Sequence, residues 1–410
     1  AFAALRDLHA ELCIGDVDQD LIPIIVSFMR PTVTEVLQLE AAWTLTNMTA
    51  GKTSVPSQRI GLCGGIKCAV ELLLSSNGDI REQAVWLLGN IAADGAQLRE
   101  KLLSVSIELP HGQGHTTLLE LLCHHAQEAK SADYLHEVVG SGRFLHHWAR
   151  RIARLIANLC CHGDDPEPPF DRVRAALPVL AELIGESDKD VLDHTLVALQ
   201  ALSADSRQKV NAVMRSADVV KRGVVVATSN RMCESLVALL KHHIVHVRAR
   251  ALAVIANICA ANGFVSTGDD SEVQAVLDGD LLPQLLEVLH SDMATEHCVL
   301  RRACRVLANV CAGTTRQVQA VLAVDATSRR TPTGRFFPLL CRLLEAAPST
   351  HLDIVEEVVW IINNASHSAV KRDFEVMDKD GCFAALEYTI SPSVATQDTD
   401  GVILRPALEA

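Results

Sequence analysis

The chain has 410 residues, 49% of them apolar, with 37 Lys and Arg against 50 Asp and Glu and a formal net charge of −13. That length exceeds the roughly 250–300 residues at which one compact core stops growing, so the chain is either several domains or a repeat array. The acidic balance argues against general nucleic-acid binding and favours basic partners, and no run of about 18 uncharged apolar residues marks a membrane span.

The first residues, AFAALRDLHAEL, lack the basic-then-apolar order of a signal peptide. The chain starts at Ala1 without a methionine and stops at Ala410 in mid-pattern, so further segments are expected at both ends. From about residue 20 onward, Leu, Ala and Val recur at three- and four-residue spacing and β-branched alternation is rare, which predicts an all-α chain. One helix ending then recurs: WTLTNMTAG at 43–51, WLLGNIAADG at 86–95, RLIANLCCHG at 154–163, a weaker relative at 197–203, AVIANICAANG at 253–263, RVLANVCAG at 305–313 and WIINNASH at 360–367. The step from Asn47 to Asn90 falls within the roughly 40–47 residues of a two- or three-helix repeat. Most later steps are longer, and the extra residues read as loops near HGQGH at 111–115, and at 129–142, 224–232, 263–271 and 324–335. Such a unit is too small to bury its own apolar face and depends on stacked neighbours for a core.

Three of the four tryptophans, Trp43, Trp86 and Trp360, have an asparagine four residues later: Asn47, Asn90 and Asn364. Residues four apart share a helix face, so each pair projects an indole and a carboxamide together. A carboxamide offers both donor and acceptor to the backbone of an extended peptide, whatever its sequence. Indole faces beside such a ladder make slots for the stems of Lys or Arg, at roughly 0.5–2 kcal/mol per cation–π contact. The fourth tryptophan, Trp148, has Ile152 at the matching position and reads as packing.

AAWTLTN and EQAVWLLGNIAADG closely resemble the second and third armadillo repeats of importin α. The resemblance runs from about residue 20 to the end. It implies a single armadillo-repeat domain over 1–410, a right-handed superhelical solenoid of about eight to nine repeats without β-sheet, whose asparagine-bearing helices line the concave face. It further implies a monomeric, non-enzymatic nuclear import adaptor shuttling between cytoplasm and nucleus. Such an adaptor holds the basic nuclear localisation signal peptides of cargo proteins, makes no direct contact with nucleic acid or membrane, and needs no cofactor. The family's N-terminal segment for an importin β carrier is not expected in this chain, and its export-receptor region would lie at or beyond the end.

Residue by residue, the resemblance places the major peptide site at Trp43, Asn47, Gly51, Trp86, Asn90, Asp94 and Asn158, and the minor site at Asn257, Asn309, Glu357, Trp360 and Asn364. In the family's lysine pocket the carbonyl maps to Gly51 and the aspartate to Asp94, while the threonine is replaced by either Ser57 or Gln58. Glu357, one turn before Trp360, is expected to pair with a basic side chain of the peptide. The chain also departs from the family. Arg154 and Arg305 stand at tryptophan positions, each with an arginine one turn earlier, Arg151 and Arg302, and the fifth repeat carries Val197 and Ala201. These cations narrow both sites: either the peptide is shorter or mixed in charge, or the arginines pair with Asp and Glu across the groove. A β-catenin-type scaffold and a redirected importin α relative are the competing readings. Trp43, Trp86 and Asp94 argue against the first of these.

No catalytic constellation is present. The histidines of KHHIVH at 241–246 lack a further ligand at metal-site spacing, so no metal is expected there. The 13 cysteines form no CxxC pair, and Cys259, Cys304 and Cys311 fall in apolar helical patterns, which fits a reducing compartment. Adjacent Cys160 and Cys161 read as helix-end packing.

Overall fold

The seven recurring sequence endings are the C-terminal halves of seven long helices: Glu35–Thr49, Gly78–Ala93, Gly142–Cys160, Lys189–Leu202, Val245–Ala260, His297–Cys311 and Leu352–Ser368. The computed structural model describes residues 21–51, 53–128, 142–161, 166–217, 219–221, 224–227, 230–261, 271–291, 296–327, 335–346, 351–389, 403, 406 and 407. Among the described residues, two shorter helices precede each long helix from the second onward, as Val55–Leu62 and Gly65–Glu71 precede Gly78–Ala93. This is a three-helix repeat whose third helix is the longest.

Local signals start and stop these helices. The Asn77 side chain accepts the Asp79 N–H and caps Gly78–Ala93. Between Val55–Leu62 and Gly65–Glu71 the chain turns sharply through Gly64, at φ +82°, where a side chain would be strained. At the next residue, Gly65, a Cβ would come within 2.5 Å of the Ile60 side chain. Glycines at both positions therefore set the angle between the first two helices of that repeat.

The chain forms two compact units, Ala1–Leu202 and Ser203–Ala410. In the first, Glu35–Thr49 packs along Gly78–Ala93, that helix along Gly142–Cys160, and this in turn along Lys189–Leu202. In the second, Val245–Ala260 packs along His297–Cys311 and the latter along Leu352–Ser368. Aliphatic side chains from all three helices of a repeat fill the space between neighbours: Ile60, Val70, Leu87, Leu88 and Ile91 are fully buried. Burial of each such side chain stabilises the fold by about 1.5–3 kcal/mol. Trp148 belongs to this core, 3% exposed and edge-on to His125 at 6.0 Å between ring centroids. Cys160, Cys259, Cys304 and Cys311 are buried thiols, whereas Cys161 is exposed.

The expectation of no β-sheet needs correction. Two antiparallel hairpins occur in the inter-repeat insertions, Ser106–Glu108 with His115–Thr117 and Val219–Lys221 with Val224–Ala227. The first turns through Gly112 and Gly114, both at positive φ, and pairs the β-branched Ile107 with Thr116. The second uses valine-rich strands. Both segments had read as loops because strands of three or four residues are too short to display alternation. Of the other insertions, 129–142, 263–271 and 324–335 lie wholly or largely outside the described residues, as does most of the terminal VILRPALEA.

Candidate functional site

The asparagines of the long helices do the same thing in successive repeats. Asn90 Nδ2 donates to the Thr46 carbonyl (3.2 Å), Asn158 to Gly89 (2.9 Å), Asn309 to Ala256 (2.9 Å) and Asn364 to Ala308 (3.0 Å). In each case the acceptor is the residue just before the corresponding asparagine of the preceding repeat. These carbonyls lie in the last turns of their helices and take the amide on a spare lone pair, as Ala308 does while also accepting the Ala312 N–H. The amide row is therefore first a tie between neighbouring repeats. Where the fifth repeat has Ala201 in place of asparagine, Asn257 instead donates to the Ser203 hydroxyl (3.0 Å).

The tie leaves capacity to spare at most positions. A carboxamide has two N–H donors and one acceptor, so among the described residues Asn158, Asn309 and Asn364 each retain one N–H and the carbonyl oxygen. Asn47 is half-buried, without an amide tie among the described residues. Asn90 differs: it is 6% exposed, and its amide nitrogen also donates to Thr49 Oγ1 (3.2 Å). With both donors spent inside the protein, the reading of Asn90 as a donor to a peptide is corrected, and only its carbonyl oxygen is left to offer.

The three indoles are in different states. Trp43 and Trp360 are exposed. Trp86 is covered: the Arg151 guanidinium carbon lies 3.4 Å from its ring centroid, and Arg151 Nε sits 3.1 Å from Glu82 Oε1. A resident arginine thus fills the slot that a peptide side chain was expected to enter. Glu82 lies four residues before Trp86 and so shares its helix face, although that spacing does not name Arg151 as the partner.

Asp94 ends the Gly78–Ala93 helix, half-buried, with the fully buried Ser57 hydroxyl donating to its carboxylate. Of the two residues the sequence left open at this place, Ser57 reaches the carboxylate, while Gln58 bonds Ser54 Oγ at 3.1 Å. Burial pushes the Asp94 carboxyl above its ordinary range, opposed by the Ser57 hydrogen bond. Asp94 lines a cavity of about 540 Å³ with Gln58, Leu62, Gly95, Gln97 and Lys101. Gly51 follows the Glu35–Thr49 helix and is half-exposed.

Glu357 requires the larger correction. It is 3% exposed, and Arg305 Nε donates to its Oε1 at 2.7 Å, with Arg301 Nε at 4.0 Å. It pairs with a basic side chain as expected, but the base is its own neighbour. Burial still raises its carboxyl above the usual carboxylate range, with Arg305 pulling it down. Arg302 is likewise engaged, donating to the Ala249 carbonyl at 2.7 Å. Pairing across repeats therefore accounts for Arg151 and Arg305. Arg154 is exposed without an ion pair among the described residues, in a pocket of about 250 Å³ with Trp86, Arg151 and His194.

A family model described as armadillo/beta-catenin-like repeat matches residues 58–93, the stretch that holds Trp86 and Asn90. A solved engineered protein superposes with a TM-score of 0.61 at 20% identity, covering 100% of this chain and 93% of that one. The chain is an all-α armadillo-repeat protein. Among curated proteins it is 30% identical to importin subunit alpha-1a of Oryza sativa subsp. japonica over 306 residues, 75% of this chain and 48% of that protein. It is 32% identical to importin subunit alpha-1b of the same organism, over 67% of this chain and 42% of the relative. To importin subunit alpha-2 of Arabidopsis thaliana it is 35% identical, over 50% and 33% respectively. The chain spans less than half the length of each of these relatives, and it is a divergent importin-α-like armadillo protein.

Proposed function

We propose that this protein binds an extended, lysine- and arginine-rich peptide along its long helices, in the manner of a nuclear import adaptor. The observation that carries the reading is the exposure of Trp43 and Trp360, at 37% and 36%. These are large aromatic side chains left outside the core at matching repeat positions, each one turn before an asparagine with hydrogen-bonding capacity. Trp43 takes the stem of a basic side chain, the amide row takes the peptide backbone, and Asp94 takes an ammonium head. The partner set that follows is cargo bearing a basic nuclear localisation signal, an importin β carrier and an export receptor. Movement between cytoplasm and nucleus follows with it.

The resident Arg151 and Arg305 favour a short motif over a long bipartite one, because each occupies a place that a second cationic residue would need. The test is a titration of the full chain with monopartite basic, bipartite basic and acidic peptides, read by tryptophan emission at two salt concentrations. Saturable binding of the monopartite peptide is expected, weakening with salt, with little gain from the second basic cluster. Equal binding of the acidic peptide would overturn the proposal.

A further inference from the structure

Apart from the amide row, the last two long helices are joined at their N-terminal ends by a cluster of nitrogen and oxygen ligands. His297 opens the His297–Cys311 helix, His351 is the N-cap residue of Leu352–Ser368, and Asp353 lies in that helix's first turn. His297 Nε2 lies 2.9 Å from Asp353 Oδ1, the two imidazole centroids are 4.5 Å apart, and one ligand atom from each of the three residues falls within 4.8 Å of the others. All three are half-buried, open enough for an ion to enter.

We propose that His297, His351 and Asp353 form a binding site for a divalent cation of the zinc class, clamping the last two long helices together. Two imidazoles and one carboxylate are a borderline donor set, suited to zinc, copper or nickel and short of the six to eight oxygens that calcium requires. Ligands at about 2.0–2.1 Å in a tetrahedron stand about 3.3 Å apart, and the three ligand atoms here already lie within 4.8 Å of one another. The fourth position falls to water. Asp353 is already oriented for the role: Arg301 Nε lies 3.5 Å from Oδ2 and the Ile354 N–H donates to Oδ1 at 3.1 Å, which turns Oδ1 toward His297. The guanidinium stands on the far oxygen, so its charge opposes the ion less than a direct neighbour would. Local spacing could not reveal this site, since His297 and Asp353 are 56 residues apart in sequence.

Free thiols are competing ligands, among them the exposed Cys298 beside His297. The probe is therefore Co²⁺, added to the reduced, chelator-stripped full chain and then displaced with Zn²⁺. The expected result is one equivalent of cobalt showing visible d–d bands with no thiolate charge-transfer band. His297→Ala and His351→Ala should each lose the bands and weaken zinc binding about tenfold or more, while Cys298→Ser should keep them. Circular dichroism of each metal-free variant separates loss of ligand from loss of fold. Zinc-dependent shifts of the His297 and His351 ring signals in the parent chain provide a readout that needs no variant. A thiolate band surviving His297→Ala, or no visible band at stoichiometric cobalt, would refute the site.

Discussion

Asp94 and Glu357 are acids at comparable posts, each close to a Trp–Asn helix ending, and the structure treats them differently. Asp94 is half-buried beside a cavity, its carboxylate held by one neutral hydroxyl. Glu357 is buried and bonded to Arg305. The indoles follow a similar division, Trp43 exposed and Trp86 covered by Arg151. An acid or an indole recognises a ligand only while its interaction is unspent, and Glu357 and Trp86, both expected at the peptide sites, are engaged by arginines of neighbouring repeats. The ion-paired rows in the second unit, with His297, Arg301 and Arg305 facing Asp353 and Glu357, are the clearest case.

Three substitutions test that contrast. The largest effect on binding is expected from Asp94→Lys, which replaces an available carboxylate with a like charge. A short basic peptide should lose about 2 kcal/mol or more of affinity, on the order of thirtyfold, by fluorescence polarisation at fixed salt. The corresponding Glu357→Lys is not a clean control, because it would bury an ammonium beside Arg305. Arg305→Ala is the better partner experiment. It leaves a buried carboxylate short of its main donor and should cost about 1–3 kcal/mol in urea unfolding at neutral pH, with unchanged binding of the short peptide.

That deficit carries a pH signature. The Glu357 carboxyl is raised above 4.5 in the parent by burial and lowered by Arg305, so removing the arginine raises it further. The folded variant then holds its proton to higher pH than the unfolded chain does, and this group's contribution to stability falls as pH rises through that window. Acidification toward 4.5 should therefore shrink the gap between variant and parent. A gap independent of pH would mean that Arg305 contributes through packing alone.

The smallest effect is expected from Arg151→Ala, which uncovers Trp86. A vacated cation–π slot is worth roughly 0.5–2 kcal/mol, so a peptide with a second basic residue in reach should gain about two- to thirtyfold in affinity. Loss of affinity instead would show that Arg151 contacts the peptide.

The repeat architecture was legible in the sequence because it rests on local periodicity. The recurring Asn endings and the 3.6-residue apolar pattern place the long helices without reference to anything distant. The partners of Asn90, Asn158, Asn309 and Asn364 were not legible, nor was Arg151 over Trp86 or Arg305 on Glu357. In each pair the two residues belong to different repeats, 44 to 69 positions apart where a hydrogen bond joins them, and a helix face read from spacing does not say what stands opposite. The short hairpins escaped for a related reason, since strands of three or four residues carry too little alternation to read. The sequence by itself determined which residues share a face of each helix, because helix geometry is fixed by the backbone. Only the tertiary structure decided which of those faces remain open, because that depends on how far a side chain from the neighbouring repeat can reach and whether it carries the complementary charge.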